Sequence, residues 1–337
     1  MASRAPAWWQ DRGLAAVLLR PLSVLFGLIA WLRRWLHRCG VLRVERLAVP
    51  VVVVGNIAVG GSGKTPVVAW LVERLREAGH RPGIVSRGYG GKVEGVAMVP
   101  RDGDPDIYGD EPVLLARLTG CPVAVGRDRP GAARELLRMS PHCDVLIADD
   151  GMQHYPLGRD IEVAVVDEAV LGNRWLLPAG PLREPLSRLR EVDVVIAHGQ
   201  MSAALASLLE GQAVFSMKLM GGRLRALRDP ARELDAGTLR GRPVHAVAGI
   251  GRPQRFFDQL GALGLDVVPH AFPDHHRFVA TDLAFPAGEP IVMTSKDAVK
   301  CAAFAPDDCW EFPVSAQIDP GAAERIVEKL KNGPPAA

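Results

Sequence analysis

A glycine-rich string between residues 55 and 65 holds the residue types most suited to chemistry in this sequence. It matches the phosphate-binding pattern G-x-x-x-x-G-K-[ST], except that Ala58 stands at the first position. Glycines there permit backbone angles that turn successive N–H groups toward phosphate oxygens, and the lysine reaches the β- and γ-phosphates. A plain glycine-rich turn is the alternative, but the string predicts an ATP site formed by Ala58, Val59, Gly60, Gly61, Ser62, Gly63, Lys64 and Thr65.

Two acidic residues follow an apolar run farther along the chain. Val145 to Ala148 leads directly into Asp149 and Asp150. An apolar strand that ends in aspartate holds Mg²⁺ in many nucleotide-binding proteins, and a threonine hydroxyl of the phosphate loop does the same. Many α/β strands end in aspartate without a metal, so the upstream glycine string is what favours this interpretation. We expect Thr65, Asp149 and Asp150 at the metal; alternatively, one aspartate binds it and the other caps the next turn.

The elements that must hold these residues alternate between strands and helices. Val49 to Val54 is an unbroken apolar, β-branched run, which is typical of a strand buried on both faces. After the string, Val67, Leu71 and Leu75 share one helical face. Similar strands and helices recur up to about residue 197. The pattern predicts an α/β fold with a mostly parallel sheet core of the P-loop NTPase type.

A second and smaller α/β lobe follows this core. Its strands are predicted at residues 243–248, 265–271 and 291–294, with helices near 253–263 and 320–330. Between the two series, short apolar strands flank Met220-Gly221-Gly222, which favours a linking hairpin. A length of 337 residues is consistent with about two domains. The predicted organisation is an N-terminal helix (1–46), a phosphate-loop core (47–212), a linker hairpin (213–228), a second lobe (229–330) and a frayed tail (331–337).

The N-terminal 46 residues differ in composition from the rest. Four of the seven tryptophans lie there, Trp8, Trp9, Trp31 and Trp35. The clean apolar stretch runs only from about Pro21 to Leu32, whereas a spanning helix needs about 20 residues. Basic residues follow at Arg33, Arg34, His37, Arg38, Arg43 and Arg46. This combination favours an amphipathic helix lying on an anionic membrane surface; a helix docked on the main domain and a true span are the alternatives.

Charge and cysteine content exclude several classes of protein. Lys and Arg total 40 and Asp and Glu total 38, so the net charge is +2. A dedicated nucleic-acid binder usually has a strong basic excess, and we therefore expect no nucleic-acid partner. The five cysteines are odd in number and none forms a CxxC pair, which favours reduced thiols and argues against a cysteine-ligated metal.

Six further strings, taken in order behind the apolar-basic N-terminal segment, are specific in combination. They are SRGYG (86–90), GDEP (109–112), DDGMQH (149–154), LPAGPLREP (177–185), FPDHH (272–276) and TSKDAVK (294–300). Together with the phosphate loop they closely resemble the tetraacyldisaccharide 4′-kinase family, also called the lipid A 4′-kinases. The resemblance covers nearly the whole chain. Met152 stands where the family usually has Phe and Ser295 where Glu is common, and neither position carries phosphate chemistry.

The resemblance implies a specific reaction. The family transfers the γ-phosphoryl group of ATP to the 4′-hydroxyl of a tetraacylated glucosamine disaccharide 1-phosphate and so makes the bis-phosphorylated lipid A precursor. It depends on Mg²⁺ and acts as a peripheral protein on the cytoplasmic face of the inner membrane. It has two α/β lobes joined by a two-stranded linker, with the active site in the cleft between them.

The resemblance also assigns catalytic residues. Asp110 of the GDEP string matches the family's catalytic base, and His275 of FPDHH matches the histidine that partners it. From the residues alone, Asp110 is better interpreted as a helix cap and His275 as a structural or surface residue. Arg183 is predicted to act beside Lys64 by neutralising charge on the γ-phosphate, and Glu184 to help hold Mg²⁺ through water; a surface ion pair is the alternative.

Four more residues are predicted to shape the acceptor site. Arg87 and Tyr89 lie in a glycine-rich loop and are expected to line the pocket for the acceptor sugar. Gln153 and His154 follow the acidic pair and are expected to shape the same pocket. Lys296 and Asp297 stay undecided between contacts to nucleotide and contacts to acceptor.

Two other functions compete with the lipid kinase. One is a phosphotransferase or ligase that acts on a soluble substrate, which the amphipathic N-terminal segment disfavours. The other is a membrane-associated nucleotide switch, which hydrolyses ATP slowly and needs no acceptor pocket. The PDHH string on the second lobe favours the kinase.

Overall fold

The computed structural model describes residues 6–333. The strands are β1 (Val51–Gly55), β2 (Pro82–Ser86), β3 (Val96–Met98), β4 (Val123–Gly126), β5 (Val145–Asp149), β6 (Ile161–Asp167), β7 (Val194–His198), β8 (Val214–Met220), β9 (Arg223–Ala226), β10 (Glu233–Asp235), β11 (Pro243–Ala248), β12 (Asp266–Ala271), β13 (Ile291–Thr294), β14 (Cys309–Phe312) and β15 (Ser315–Ile318). The helices are α1 (Leu14–Leu18), α2 (Arg20–Arg38), α3 (Lys64–Glu77), α4 (Pro105–Tyr108), α5 (Asp110–Thr119), α6 (Arg129–Met139), α7 (Ala203–Leu208), α8 (Pro253–Ala262), α9 (Ser295–Cys301) and α10 (Gly321–Asn332).

The first sheet is nine-stranded, in the order β15-β8-β7-β6-β1-β5-β2-β4-β3. Its strands from β8 to β4 are parallel, and β15 and β3 are antiparallel edges. The expected mostly parallel sheet is confirmed. Because parallel strands place their carboxyl ends at one edge, the loops after β1, β2, β5 and β6 converge there.

The apolar run of β1 is explained by burial on both of its faces. Val52 and Val54 join the cluster that packs under α3 and α5, whereas Val51 and Val53 join the cluster on the opposite face. All four valines are at most 1% exposed. With helices on both faces no position of the strand can be polar, and this rigid central strand carries the glycine loop.

The second sheet has six strands in the order β10-β9-β14-β13-β11-β12. Two strands expected in a linker hairpin are not paired with each other: β8 lies in the first sheet and β9 in the second. That expectation was wrong because each strand finds a partner already held in a sheet, β7 for β8 and β14 for β9. The residues between them, Gly221 and Gly222, form one passage between the lobes.

The second lobe is also shorter than expected. Residues up to 330 were expected in it, but β15 pairs with β8, and α10 buries Ala322 and Ile326 against the first sheet. The chain therefore passes between the lobes twice. The expected tail begins inside α10, which extends to Asn332, and residues 334–337 lie outside the described residues. All five cysteines are free thiols.

Candidate active site

The glycine loop joins the end of β1 to the start of α3, as the sequence predicts. Gly60 and Gly63 have φ of +125° and +89°, which side chains with a Cβ rarely adopt. Asn56 stabilises the loop through two hydrogen bonds: its Nδ2 donates to the Gly60 carbonyl oxygen at 3.3 Å and to Ser62 Oγ at 3.1 Å. The loop thus lies fixed at the N-terminus of a 14-residue helix, where backbone N–H groups and the helix dipole favour phosphate.

The two aspartates after β5 have different surroundings. Asp150 lies 3.5 Å from Lys64 Nζ and 3.1 Å from Arg183 Nη1, and these cations hold its pKa far below the usual range although burial acts in the opposite direction. Asp149 is 1% exposed and accepts a hydrogen bond from Ser86 Oγ at 3.1 Å. Burial, with Glu111 and Asp150 nearby, raises the pKa of Asp149 to about 7. Within residues 6–333 it forms no salt bridge, so it is the aspartate that a bound cation would satisfy.

The donor set fits Mg²⁺ that is shared with a nucleotide. No group of three or more His, Cys, Asp or Glu in the described part of the chain could hold a metal alone. Mg²⁺ at a phosphate loop needs only one or two protein oxygens, because phosphates and water supply the others. We expect the Thr65 hydroxyl and the Asp149 carboxylate to supply these oxygens. Glu184 instead lies with Tyr155 and Arg188, its Oε2 3.2 Å from Arg188 Nε, so its role at the metal stays a prediction.

Asp110 and His275 meet across the cleft between the lobes. His275 Nδ1 lies 3.0 Å from Asp110 Oδ2 and 3.2 Å from Oδ1. Asp110 is 5% exposed in the first turn of α5, where Gly109 occupies the cap position. Burial favours the neutral acid, but the hydrogen bond from His275 and the charge of Lys296 together hold the pKa of Asp110 below its usual value. The carboxylate therefore stays ionised at neutral pH, as a base must.

Lys296 belongs to this cluster, and Asp297 does not. Lys296 Nζ lies 3.1 Å from Glu111 Oε1, 3.2 Å from Asp274 Oδ1 and 3.3 Å from His275 Nε2. A lysine donates only, so His275 Nε2 accepts and the proton of the imidazole sits on Nδ1, toward Asp110. Asp297 is fully buried and accepts from the Gly249 N–H and the Thr294 hydroxyl, which is a structural role.

The four residues predicted for the acceptor surround one cavity of about 1260 Å³. Tyr89 is 63% exposed with its ring centroid 4.9 Å from that of His275, and Arg87 is exposed beside it. Gln153 bonds the Asn56 carbonyl oxygen at 3.0 Å and is itself reached by Arg183. Burial lowers the pKa of His154 to about 4, so this imidazole is neutral. The same cavity is lined by the glycine loop, by Asp150 and by Phe26, Ile29, Ala30 and Arg33 of α2.

Comparison with known proteins identifies the family. A profile of the family described as Tetraacyldisaccharide-1-P 4'-kinase (LpxK) matches residues 15–331. A protein of Aromatoleum aromaticum named tetraacyldisaccharide 4'-kinase is 67% identical over 337 residues, 100% of both chains. This chain belongs to the tetraacyldisaccharide 4′-kinase family. A protein of the same name from Azoarcus sp. is 66% identical over 99% of this chain and 97% of its own.

A solved structure extends the likeness to the fold. The crystal structure of LpxK from Aquifex aeolicus in complex with ATP has a TM-score of 0.79 and is 30% identical, covering 94% of this chain and 100% of that chain. The α/β fold, the kinase activity and the family inferred from the motifs are thus confirmed, and the switch and soluble-substrate alternatives are set aside.

A second contact between the lobes was not anticipated from the sequence. Asp167, the last residue of β6, accepts from Arg255 at 2.7 Å and from Arg252 at 3.2 Å, both at the start of α8 in the second lobe. A Cβ on Gly251 would lie 3.7 Å from the Gly61 nitrogen, so this contact adjoins the loop. Acidic residues end many strands, so the sequence pattern at Asp167 does not indicate that its partners are arginines of the second lobe.

We expect Asp167→Asn to loosen the second lobe in this tetraacyldisaccharide 4′-kinase family member. The side chain is 3% exposed, and the substitution keeps its size while it removes the charge that holds two arginines. Turnover should fall by about 10-fold, because small misplacements of reacting groups are costly. Small-angle scattering should show a larger radius of gyration, and exposed Asp229→Asn is the control. Unchanged scattering and turnover would count against an interlobe role.

The N-terminal helix is docked along one side and exposed along the other. Ser23 is the buried residue of α2, and both Arg34 and Arg38 pair with Glu191 of the core. Large apolar side chains remain exposed at Leu14, Leu18, Leu22, Val24, Leu25, Leu28, Ile29, Trp31, Leu32 and Trp35. Among the described residues, no helix has the length and apolarity needed to cross a bilayer. This N-terminal helix thus combines docking on the core with an exposed apolar face.

Proposed function

We propose that this chain transfers the γ-phosphoryl group of ATP to the 4′-hydroxyl of a tetraacyl disaccharide 1-phosphate at the surface of an anionic membrane. The observation that supports this most is the single cavity that the glycine loop, His275 and the apolar residues of α2 line together. A nucleotide and an acylated sugar can meet there, with the lipid end toward the exposed helix. The cytoplasmic face of the inner membrane is the location that this reaction requires, because ATP is found there.

The proposed roles follow from the contacts. The loop from Ala58 to Thr65 binds the phosphates of ATP, and Lys64 and Arg183 neutralise charge on the transferred group. When bound, Mg²⁺ at Thr65 and Asp149 offsets charge on the β- and γ-phosphates. Asp110 takes the proton of the 4′-hydroxyl as its oxygen attacks phosphorus. His275, held by Lys296, orients the Asp110 carboxylate from the edge of the cavity.

Labelled ATP tests the reaction directly. Purified protein is incubated with γ-labelled ATP, Mg²⁺ and a tetraacyl disaccharide 1-phosphate in mixed micelles, and a labelled lipid is expected. Disaccharide whose 4′-hydroxyl is blocked serves as the control and should stay unlabelled. Release of labelled inorganic phosphate at the same rate with and without the acceptor would contradict the proposal.

We expect the exposed face of α2 to carry membrane binding. Leu28 and Trp31 are 57% and 59% exposed, and burying such side chains contributes about 1.5–3 kcal/mol each. The double variant Leu28→Ser/Trp31→Ser should lose about 10-fold or more in its affinity for vesicles that contain phosphatidylglycerol, measured by sedimentation. Met139→Ser, also an exposed apolar site, is the control.

High salt separates the two contributions to this binding. Screening weakens the attraction of the basic residues to an anionic surface, so salt should release part of the wild-type protein. Vesicle binding that ignores both salt and the double substitution would overturn the assignment of α2 as the membrane contact.

A further inference from the structure

One loop connects the catalytic arginine to the N-terminal segment. We call residues 171–184 the bridging loop. Its end runs beside the entrance of the phosphate loop: the Arg183 N–H donates to the Ile57 carbonyl oxygen at 2.7 Å, and the Val59 N–H donates to the Pro181 carbonyl oxygen at 2.9 Å. Leu182 forms an antiparallel bridge with Ala58. The backbone on which Arg183 stands is therefore fixed against the loop that holds the phosphates.

The N-terminal residues hold the other side of the bridging loop through Asn173. This side chain is 6% exposed, and its Nδ2 lies 3.0 Å from the Trp8 carbonyl oxygen and 2.9 Å from that of Asp11. The same amide reaches the Ala179 carbonyl oxygen at 2.8 Å. The Asn173 N–H in turn donates to the Trp9 carbonyl oxygen at 2.7 Å. One asparagine thus joins residues 8–11 to the bridging loop at both Asn173 and Ala179.

Ser23 of α2 makes the second connection. It is a buried polar side chain on a helix whose other side exposes leucine and tryptophan. Its hydroxyl donates to the Leu176 carbonyl oxygen at 2.8 Å and accepts from the Ala179 N–H at 3.0 Å. A hydroxyl can do both at once, whereas alanine can do neither. Gly27, one turn later, lets Leu176 approach, since a Cβ there would lie 2.7 Å from Leu176 Cδ1.

We infer that Ser23 and Asn173 are positioning residues that set Arg183 through the bridging loop. The inference rests on the proposed function, in which Arg183 meets the transferred phosphoryl group. Neither side chain touches the cavity, so each acts only through backbone groups of the loop. The helix that presents its apolar face to lipid is therefore the same element that aligns Arg183. The depth at which α2 binds the lipid surface and the position of the Arg183 guanidinium are thus linked through the bridging loop.

Kinetics of single and double variants test this link. Ser23→Ala and Asn173→Ala should each lower kcat by about 10-fold with little change in the KM for lipid, because a misplaced group loses transition-state contact and not ground-state binding. In an Arg183→Ala background both effects should largely disappear, since the residue being positioned is absent. The exposed Ser207→Ala is the control.

A merely structural role gives a different pattern. If the substitutions act by destabilising the protein, their effects multiply with that of Arg183→Ala and follow the loss of Tm, and the inference is overturned. Affinity for nucleotide gives a readout that needs no lipid product. The preference for ATP over ADP should fall in Asn173→Ala as it does in Arg183→Ala, and no further in the double variant. If the wild-type protein makes no labelled lipid but the variants show this pattern of nucleotide affinities, the proposed function is rejected. The positioning role of Ser23 and Asn173 is then retained.

Discussion

Lys64→Ala is expected to lower turnover by about 10³-fold, the size of effect seen when a charge-stabilising donor is removed from a transition state. Lys64 Nζ is 3.5 Å from Asp150, and Arg183 still pairs with that carboxylate in the variant, so the fold should survive. Circular dichroism and Tm check the fold, and initial rates with labelled ATP check turnover. The exposed Lys331→Ala is the matched control. Near-wild-type turnover with normal ATP affinity would remove the phosphate-loop assignment.

Asp110→Ala is expected to cut kcat by about 10³-fold while ATP binds almost normally, because the base acts on the acceptor and not on the nucleotide. His275→Ala should lower kcat by a smaller factor, since it orients the base through a 3.0 Å contact. The double variant Asp110→Ala/His275→Ala should lower kcat by much less than the product of the two single effects, as is expected for coupled residues.

The control for this pair lies on the second lobe. The exposed Asp266→Ala should leave kcat unchanged. The depressed pKa of Asp110 gives a further check: an acid whose pKa is lowered on folding stays ionised until the pH falls below its usual range, so Asp110 should not produce an acid limb in kcat between pH 5 and 8. Single effects that multiply independently would show that Asp110 and His275 do not act as a unit.

Local patterns predicted the phosphate loop, because strand, glycines and helix follow one another within a few turns of chain. The run from Val51 to Val54 likewise showed a strand buried on both faces, since only that environment accepts four valines in succession. Both predictions depend only on residues that are close together in the sequence. The family motifs then placed Asp110 beside His275, residues that no spacing rule could join.

Long-range pairing is where prediction from the sequence failed. The apolar face of α10 shows that it packs on something, but periodicity does not say which sheet receives it. The glycines between β8 and β9 suggested a hairpin, although each strand had a better partner elsewhere. The contact from Asp167 to Arg252 and Arg255 depends on that tertiary arrangement, and so it was not foreseen.

The two passages of the chain between the lobes lie against each other. A Cβ on Gly221, in the first passage, would be 2.5 Å from Phe312 Cζ and 3.1 Å from the Pro313 carbonyl oxygen in the second. The backbone thus joins the two lobes at a single close crossing, which can act as a hinge. His275 and Arg252 both belong to the second lobe, so movement about such a hinge would change both of their contacts with the first lobe. Loss of either contact is therefore expected to weaken the other, because one hinge serves both.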